Sequence, residues 1–260
     1  MTTPLGAGRP AVPASWLRMA LAVSANEVRL ALRRGEGLLI TFVIPVGVLL
    51  VFSAFDPAGG STASPAVDRL LPGSIALAVI GASFVSLAIS TGYERAYGVL
   101  RRLGGSPAGS SVVVAAKTVS VALIELVQVA LLVAIAVGVL GFRFGPGVSV
   151  SVILAALVLG TVAFAGIGLL MAGTLRAEAT LALANLLFLL ALVLGGIVIP
   201  LDRLPDAVAG VAAILPAAAL TEALAIGFGT LSADPTPPLL VLAAWAVVAA
   251  ILAARLFRWD

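Results

Sequence analysis

Cysteine and histidine are absent from all 260 residues, and lysine occurs once, at Lys117. Without thiols there is no disulfide scaffold and nothing to report a redox compartment; without imidazole the commonest transition-metal ligand is missing. Charge is scarce too. Asp, Glu, Lys and Arg make up 10% of the chain, and no basic tract with interleaved aromatics follows a nucleic-acid backbone. Nor is there a Gly-x-x-x-x-Gly-Lys-Ser/Thr phosphate loop, a His-Glu-x-x-His, a Gly-x-Ser-x-Gly elbow or a clustered carboxylate pair. The chain reads as a non-enzyme with no metal or cofactor of its own.

What is present is oil. Apolar residues make up 62% of the sequence and the mean hydropathy is +1.21, against about 45–50% apolar in soluble domains. A helix needs about 20 apolar residues to cross a core of roughly 30 Å, and six stretches qualify. They are Leu38–Phe55, Pro72–Thr91, Val112–Leu140, Ser149–Met171, Thr180–Ile199 and Leu239–Leu256. A further stretch, Ala207–Phe228, is interrupted by Pro216 and carries Glu222, and so reads as two half-helices. The spacing thus predicts an all-α membrane protein. Met1–Ser15 has Pro and Gly where a signal peptide has its apolar centre, so residues 1–14 read as a flexible cytoplasmic tail and 15–260 as one transmembrane domain.

Orientation follows from the basic residues. With the N-terminus cytoplasmic, that side takes Arg9, Arg18, Arg29, Arg33, Arg34, Arg95, Arg101, Arg102, Lys117, Arg176, Arg255 and Arg258, and the outer side only Arg69, Arg143 and Arg203. Both termini then lie inside. Three cytoplasmic pieces result: an amphipathic stretch Ser15–Arg34 expected to lie along the inner membrane face, the link Thr174–Thr180, and the polar stretch "GYERAYGVLRRLGGSP", Gly92–Pro107. In the last, Tyr93, Ala96, Tyr97, Leu100 and Leu103 share a helical stripe, and Gly104 to Pro107 stop the helix.

Within the third stretch Lys117, Glu125 and Gln128 fall near one helical face. Glu125 lies at mid-span, where an exposed charge costs at least about 2.5 kcal/mol, so it must be protonated, paired or facing water. Two readings stand: Glu125 and Gln128, with Asn185, line a translocation path, or Glu125 makes a buried hydrogen bond to Asn185 or Thr161. Lys117, near the cytoplasmic end, is expected to snorkel to the headgroups. Gly168 and Ala172 have the small-xxx-small spacing of close helix packing.

Glu94-Arg95, Gly98, Leu100, Leu103 and Ser106-Pro107 resemble the signature that follows the second span of type-2 ATP-binding-cassette (ABC) exporter permeases, with Ala96 where many members carry a second acid. Gly195, Pro200, Leu204, Pro205, Pro216 and Glu222 are similar to that family's segment after the fifth span, and Asn26–Pro45 to its first helix and span. The resemblance implies six spans, an N-terminal interfacial helix, a cytoplasmic coupling helix and an outer re-entrant helical hairpin. It assigns ATPase coupling to Tyr93, Glu94, Arg95, Gly98, Leu100, Arg101, Arg102, Leu103, Ser106 and Pro107. It also implies two copies of an ATPase subunit, which bring ATP and Mg, a second permease as homodimer or heterodimer partner, and a bacterial cytoplasmic membrane. The drug-resistance branch, with daunorubicin-type exporters, is the nearest in pattern, and the aliphatic walls suit a hydrophobic or amphipathic cargo. Lipid or polysaccharide-precursor export is an alternative in the same architecture, and a membrane anchor recruiting a regulatory partner is one outside it.

Overall fold

The computed structural model describes residues 35–55, 66–100, 109–145 and 147–258, together with Arg18, Met19, Ala22, Ser24, Ala25 and Arg29. Among these the chain is helical, without strands. In order come α1 (Gly35–Phe55), α2 (Ala66–Ala96), α3 (Gly109–Gly138), α4 (Val150–Thr174), α5 (Ala177–Leu194), α6 (Asp206–Ala213), α7 (Pro216–Gly227) and α8 (Thr236–Leu256). Helices α2, α3, α4, α5 and α8 are each long and apolar enough to cross a membrane, and the bent pair α6–α7 gives a sixth if it is taken as one span. In α1 the part with described side chains, Thr41–Phe55, is a shorter apolar helix.

Two spans differ from the hydropathy reading, for local reasons. Helix α2 runs 31 residues rather than Pro72–Thr91, because its ends are held by packing and polar contacts that hydropathy does not score. It also contains a π-helical segment, Ile80–Ser86, in which the backbone bonds shift from i−4 to i−5. Helix α5 starts and stops earlier than Thr180–Ile199: Gly195 caps it, and Gly196 turns the chain away at φ 67°, a conformation that favours glycine.

Helix α4 is the centre of the bundle, packed on α8, α7 and α2. Glycines on it allow close approach. A Cβ on Gly166 would lie 2.8 Å from the Ala249 Cβ and 3.0 Å from the Ala249 backbone; one on Gly168 would lie 3.0 Å from the Phe84 carbonyl oxygen. The small-residue spacing at Gly168 thus serves contact within one chain. Leu49, Leu71, Ile75, Leu77, Leu132, Leu220 and Leu242 fill the remaining core.

The Ala207–Phe228 stretch is broken as its proline requires. Helices α6 and α7 meet at 80°, with Pro216 opening α7, where a missing N–H costs nothing. The Ile214 carbonyl freed at the break accepts a hydrogen bond from Trp245 Nε1 on α8 at 2.9 Å. Trp245 lies nine residues, about 14 Å, along the 21-residue α8, so the break sits near mid-length of that helix. At the far end of α7, Phe228 packs edge-on against Phe142, and the Gly227 carbonyl accepts the Ser149 N–H at 2.8 Å.

Of the expected interfacial helix Ser15–Arg34, only Arg18, Met19, Ala22, Ser24, Ala25 and Arg29 fall within the described residues, all helical; the rest lies outside them. Ser24 is buried, and its hydroxyl donates to the Ala116 carbonyl of α3 at 3.1 Å.

Candidate functional site

Two polar constellations interrupt the apolar bundle: one where α2, α3 and α4 end together, the other inside it.

The first is built on Glu94 and Arg95, in the last turn of α2. Glu94 Oε2 lies 2.7 Å from Lys117 Nζ on α3, and the lysine is only 4% exposed. This corrects the expectation that Lys117 snorkels outward. Its tether carries it inward because a carboxylate waits there, and a buried ammonium is tolerable only when paired. Arg95 reaches the other way: its Nη2 donates to the Leu175 carbonyl at 2.5 Å, at the residue that caps α4. A guanidinium at a helix C-terminus satisfies an otherwise unbonded carbonyl and complements the helix dipole. The adjacent Glu-Arg pair therefore clamps α2 to α3 and to the α4–α5 junction. Nearby, Gly92 brings α2 against Ala177 and Thr180 of α5.

The polar stretch is not one continuous helix. Helix α2 ends at Ala96, Tyr97 and Gly98 form a turn with Gly98 at φ 69°, and helical backbone resumes at Val99–Leu100. The cause is Gly98, which accepts the left-handed backbone that lets its N–H reach the Arg95 carbonyl. The expected stripe divides there. Leu100 is buried, Tyr93 is half-buried, and Tyr97 is 72% exposed with its ring stacked on Tyr93 at 6.1 Å. Ala96 and Val99 are exposed beside it. The coupling residues assigned to Arg101, Arg102, Leu103, Ser106 and Pro107 lie outside the described residues.

The second constellation contains the mid-membrane polar residues. Glu125 and Gln128 are 4% and 2% exposed, enclosed by helices of the same chain. Thr161 on α4 meets Glu125 Oε2 at 2.5 Å, which realises one of the two expected partners. Asn185 is not the other: it is exposed on α5 and donates to its own helix, at the Leu181 carbonyl. Gln128 has a role the sequence reading missed. Pro45 on α1 supplies no N–H to the Thr41 carbonyl one turn back, and Gln128 Nε2 donates to that carbonyl at 3.2 Å. A proline in one apolar helix and a glutamine in another are the sequence signal for such a repair, though only the fold pairs them. Gln128→Leu is expected to lower the thermal stability of the purified protein by about 0.6 kcal/mol, the mean for such a bond inside a membrane bundle. No change on scanning thermal unfolding would remove Gln128 from that role.

The remaining expected residues string along the broken segment. Gly195 caps α5, Pro200 and Pro205 flank a short turn, Pro216 opens α7, and Glu222 is half-buried on α7 beside half-exposed Thr221 and Ala225.

A family profile described as ABC-2 type transporter matches residues 20–228, most of the chain and all of both constellations. The chain belongs to the ABC-2 type transporter family. It is accordingly a permease component of an ABC transporter, a multi-pass membrane protein rather than an ATPase, and members of this family normally work with an ATPase partner. No curated protein matches it.

In this ABC-2 permease Glu94 and Arg95 make their contacts inside the subunit, while Ala96, Tyr97 and Val99 are the exposed described residues of the stretch.

Proposed function

We propose that this ABC-2 permease exports hydrophobic or amphipathic small molecules, antibiotics of the daunorubicin type among them, from the bacterial cytoplasm. Two six-span halves, identical or paired with a second permease, enclose the path. Two ATPase subunits carry ATP and Mg beneath them, on the side where both termini and the basic residues lie. Closure of the ATPase pair pushes on the turn at Tyr97 and Gly98, and the Glu94–Arg95 clamp hands that push to α3 and to the α4–α5 junction. The α6–α7 pair, broken at the depth of Trp245 and facing outward at Glu222, is the element that yields on the outer side.

The observation that carries this reading is a division of labour in the described part of the motif: Glu94 and Arg95 are engaged by contacts inside the subunit, while Tyr97, 72% exposed, is presented at the same helix end. An aromatic ring held out by a stacked neighbour beside a rigid clamp is the sort of anchor that fills a groove on a partner.

The test is reconstitution of permease and ATPase into vesicles. ATP-dependent uptake of a fluorescent daunorubicin-type amphiphile is expected, and Tyr97→Ala should weaken ATPase binding about tenfold or more, the effect of losing a hot-spot aromatic. Unchanged ATPase affinity in Tyr97→Ala would exclude it as the anchor. Movement of a labelled phospholipid with no movement of the amphiphile would replace drug export by lipid export.

A further inference from the structure

We propose that the outward face of α8, with Arg255 and Arg258 at its end, binds an acidic phospholipid: the two guanidiniums take the headgroup and the apolar face takes the acyl chains. This rests on the chain being a multi-pass membrane protein and is independent of the exported cargo.

The face follows from how α8 sits on the bundle. Leu242, Ala246, Ala249 and Ala253 are buried at helical spacing, and the close contact of Ala249 with Gly166 puts α4 on that side. Leu240, Val247, Val248, Ile251 and Leu252 are exposed. From Val248, steps of three, four and seven residues reach Ile251, Leu252 and Arg255, which therefore share one side of the helix, and Arg255 is exposed with them. The stripe from Leu240 to Arg255 is about 22 Å long. It is aliphatic until its last residue and cationic there.

An arginine near a helix C-terminus can be absorbed by its own helix, whose last carbonyls attract a cation. Here backbone closes the end instead. The Phe257 N–H donates to the Ala253 carbonyl, and the Arg258 N–H crosses to the Gly173 carbonyl of α4 at 3.2 Å. Gly173 permits that crossing: a Cβ there would lie 2.9 Å from the Phe257 Cα, which is backbone and cannot turn aside. Arg258 is thereby pinned three residues past Arg255, with its side chain exposed.

The charge at this end of the bundle selects the headgroup. The acidic groups described there are Glu94, which is paired with Lys117, and Glu178, exposed in the first turn of α5. Against them stand Arg255, Arg258 and the exposed Arg176, besides Arg95 on the Leu175 carbonyl. A zwitterionic headgroup gains little from that excess, whereas one of net negative charge gains about fivefold in affinity for each arginine at the surface. An acidic patch on a partner protein is the competing occupant. It would suit Arg258, but Arg255 stands in line with Ile251 and Leu252, on a side of α8 that faces acyl chains rather than a water-soluble partner.

The test titrates the full permease in detergent with phosphatidylglycerol and with phosphatidylcholine of the same chains, read by native mass spectrometry. Phosphatidylglycerol is expected to bind about thirtyfold tighter, and Arg255→Gln combined with Arg258→Gln to abolish that preference. Arg143→Gln, at an exposed arginine between α3 and α4 and so at the opposite end, should leave it unchanged. Phosphatidylglycerol with a photoreactive group on its acyl chain should label residues 248–252 of the wild type, a result that needs no variant to fold. Equal affinity for the two lipids, a preference that survives the double substitution, an equal loss in Arg143→Gln, or labelling confined to other helices overturns the proposal. Loss of ATPase binding in the double variant with the lipid preference intact would assign the arginines to a protein contact instead.

Discussion

Glu94→Ala is expected to destabilise the permease by about 3 kcal/mol, the lower end of the cost of breaking a buried ion pair. The group that loses this carboxylate is the Lys117 ammonium, 4% exposed and 2.7 Å from it. Its helix is fixed nearby by Ser24 and Ser120, whose hydroxyls bond across α3, so it cannot slide the charge out to water. A large drop in thermal stability, followed by fluorescence-detected size exclusion, is the outcome to look for. Adding Lys117→Met to Glu94→Ala should restore most of the loss, since an apolar side chain of similar length fills the site without charge. If Glu94→Ala unfolds at the wild-type temperature, the pair is a solvated surface contact, worth about 0–1 kcal/mol. The double variant separates two properties that the single one confounds. It should be stable, yet it lacks the ionic link between α2 and α3, so its ATP-driven transport should stay low.

Gly166→Val carries the second largest expected effect, roughly 1–3 kcal/mol from overpacking. The Cβ alone would lie 2.8 Å from the Ala249 Cβ, and behind that are backbone atoms of Ala249 and Ala250 at 3.0 and 3.1 Å. Backbone cannot rotate aside like a side-chain tip, so α8 must move off α4. That shift bears on Trp245 one turn away, whose hydrogen bond to Ile214 supports the α6–α7 break. Ala249→Gly removes the nearest atom and should recover part of the loss. Recovery in the pair, measured as a coupling energy in a double-mutant cycle, ties the cost to this contact. Additive effects would place it elsewhere. At Gly160 the same addition meets only the tip of Leu220, and a smaller penalty is expected there.

How much of this was legible beforehand varies with the range of the physics involved. Composition and apolar runs gave the all-helical membrane class, because a bilayer admits only segments that satisfy their own backbone. Pro216 marked the break in Ala207–Phe228 because proline forbids the same local geometry in any fold. Glu94-Arg95 was recognisable as a motif, and its family is the one the profile match identifies. The same residues show where local reading ran out. Lys117 is near a helix end, which reads as snorkelling, but whether a carboxylate waits on the neighbouring helix is a contact 23 positions away in sequence. The apolar spacing from Tyr93 to Leu103 reads as one helix across Gly98, since periodicity is blind to a positive φ.

The sequence by itself determined that this chain is a bundle of membrane helices with a basic end, a broken segment after the fifth apolar run, and a polar motif of ABC-2 character between the second and third. Those properties follow from hydrophobicity, backbone stereochemistry and charge placement, which act over a few residues. Only the tertiary structure decided that the motif's charges close on Lys117 and Leu175 and leave Tyr97 outward, that Gln128 repairs the helix of Pro45, and that Glu125 meets Thr161 rather than Asn185. Each is a pairing between helices. In an apolar bundle many registers bury similar oil, and the few polar groups favour the one in which these donors and charges meet across helices.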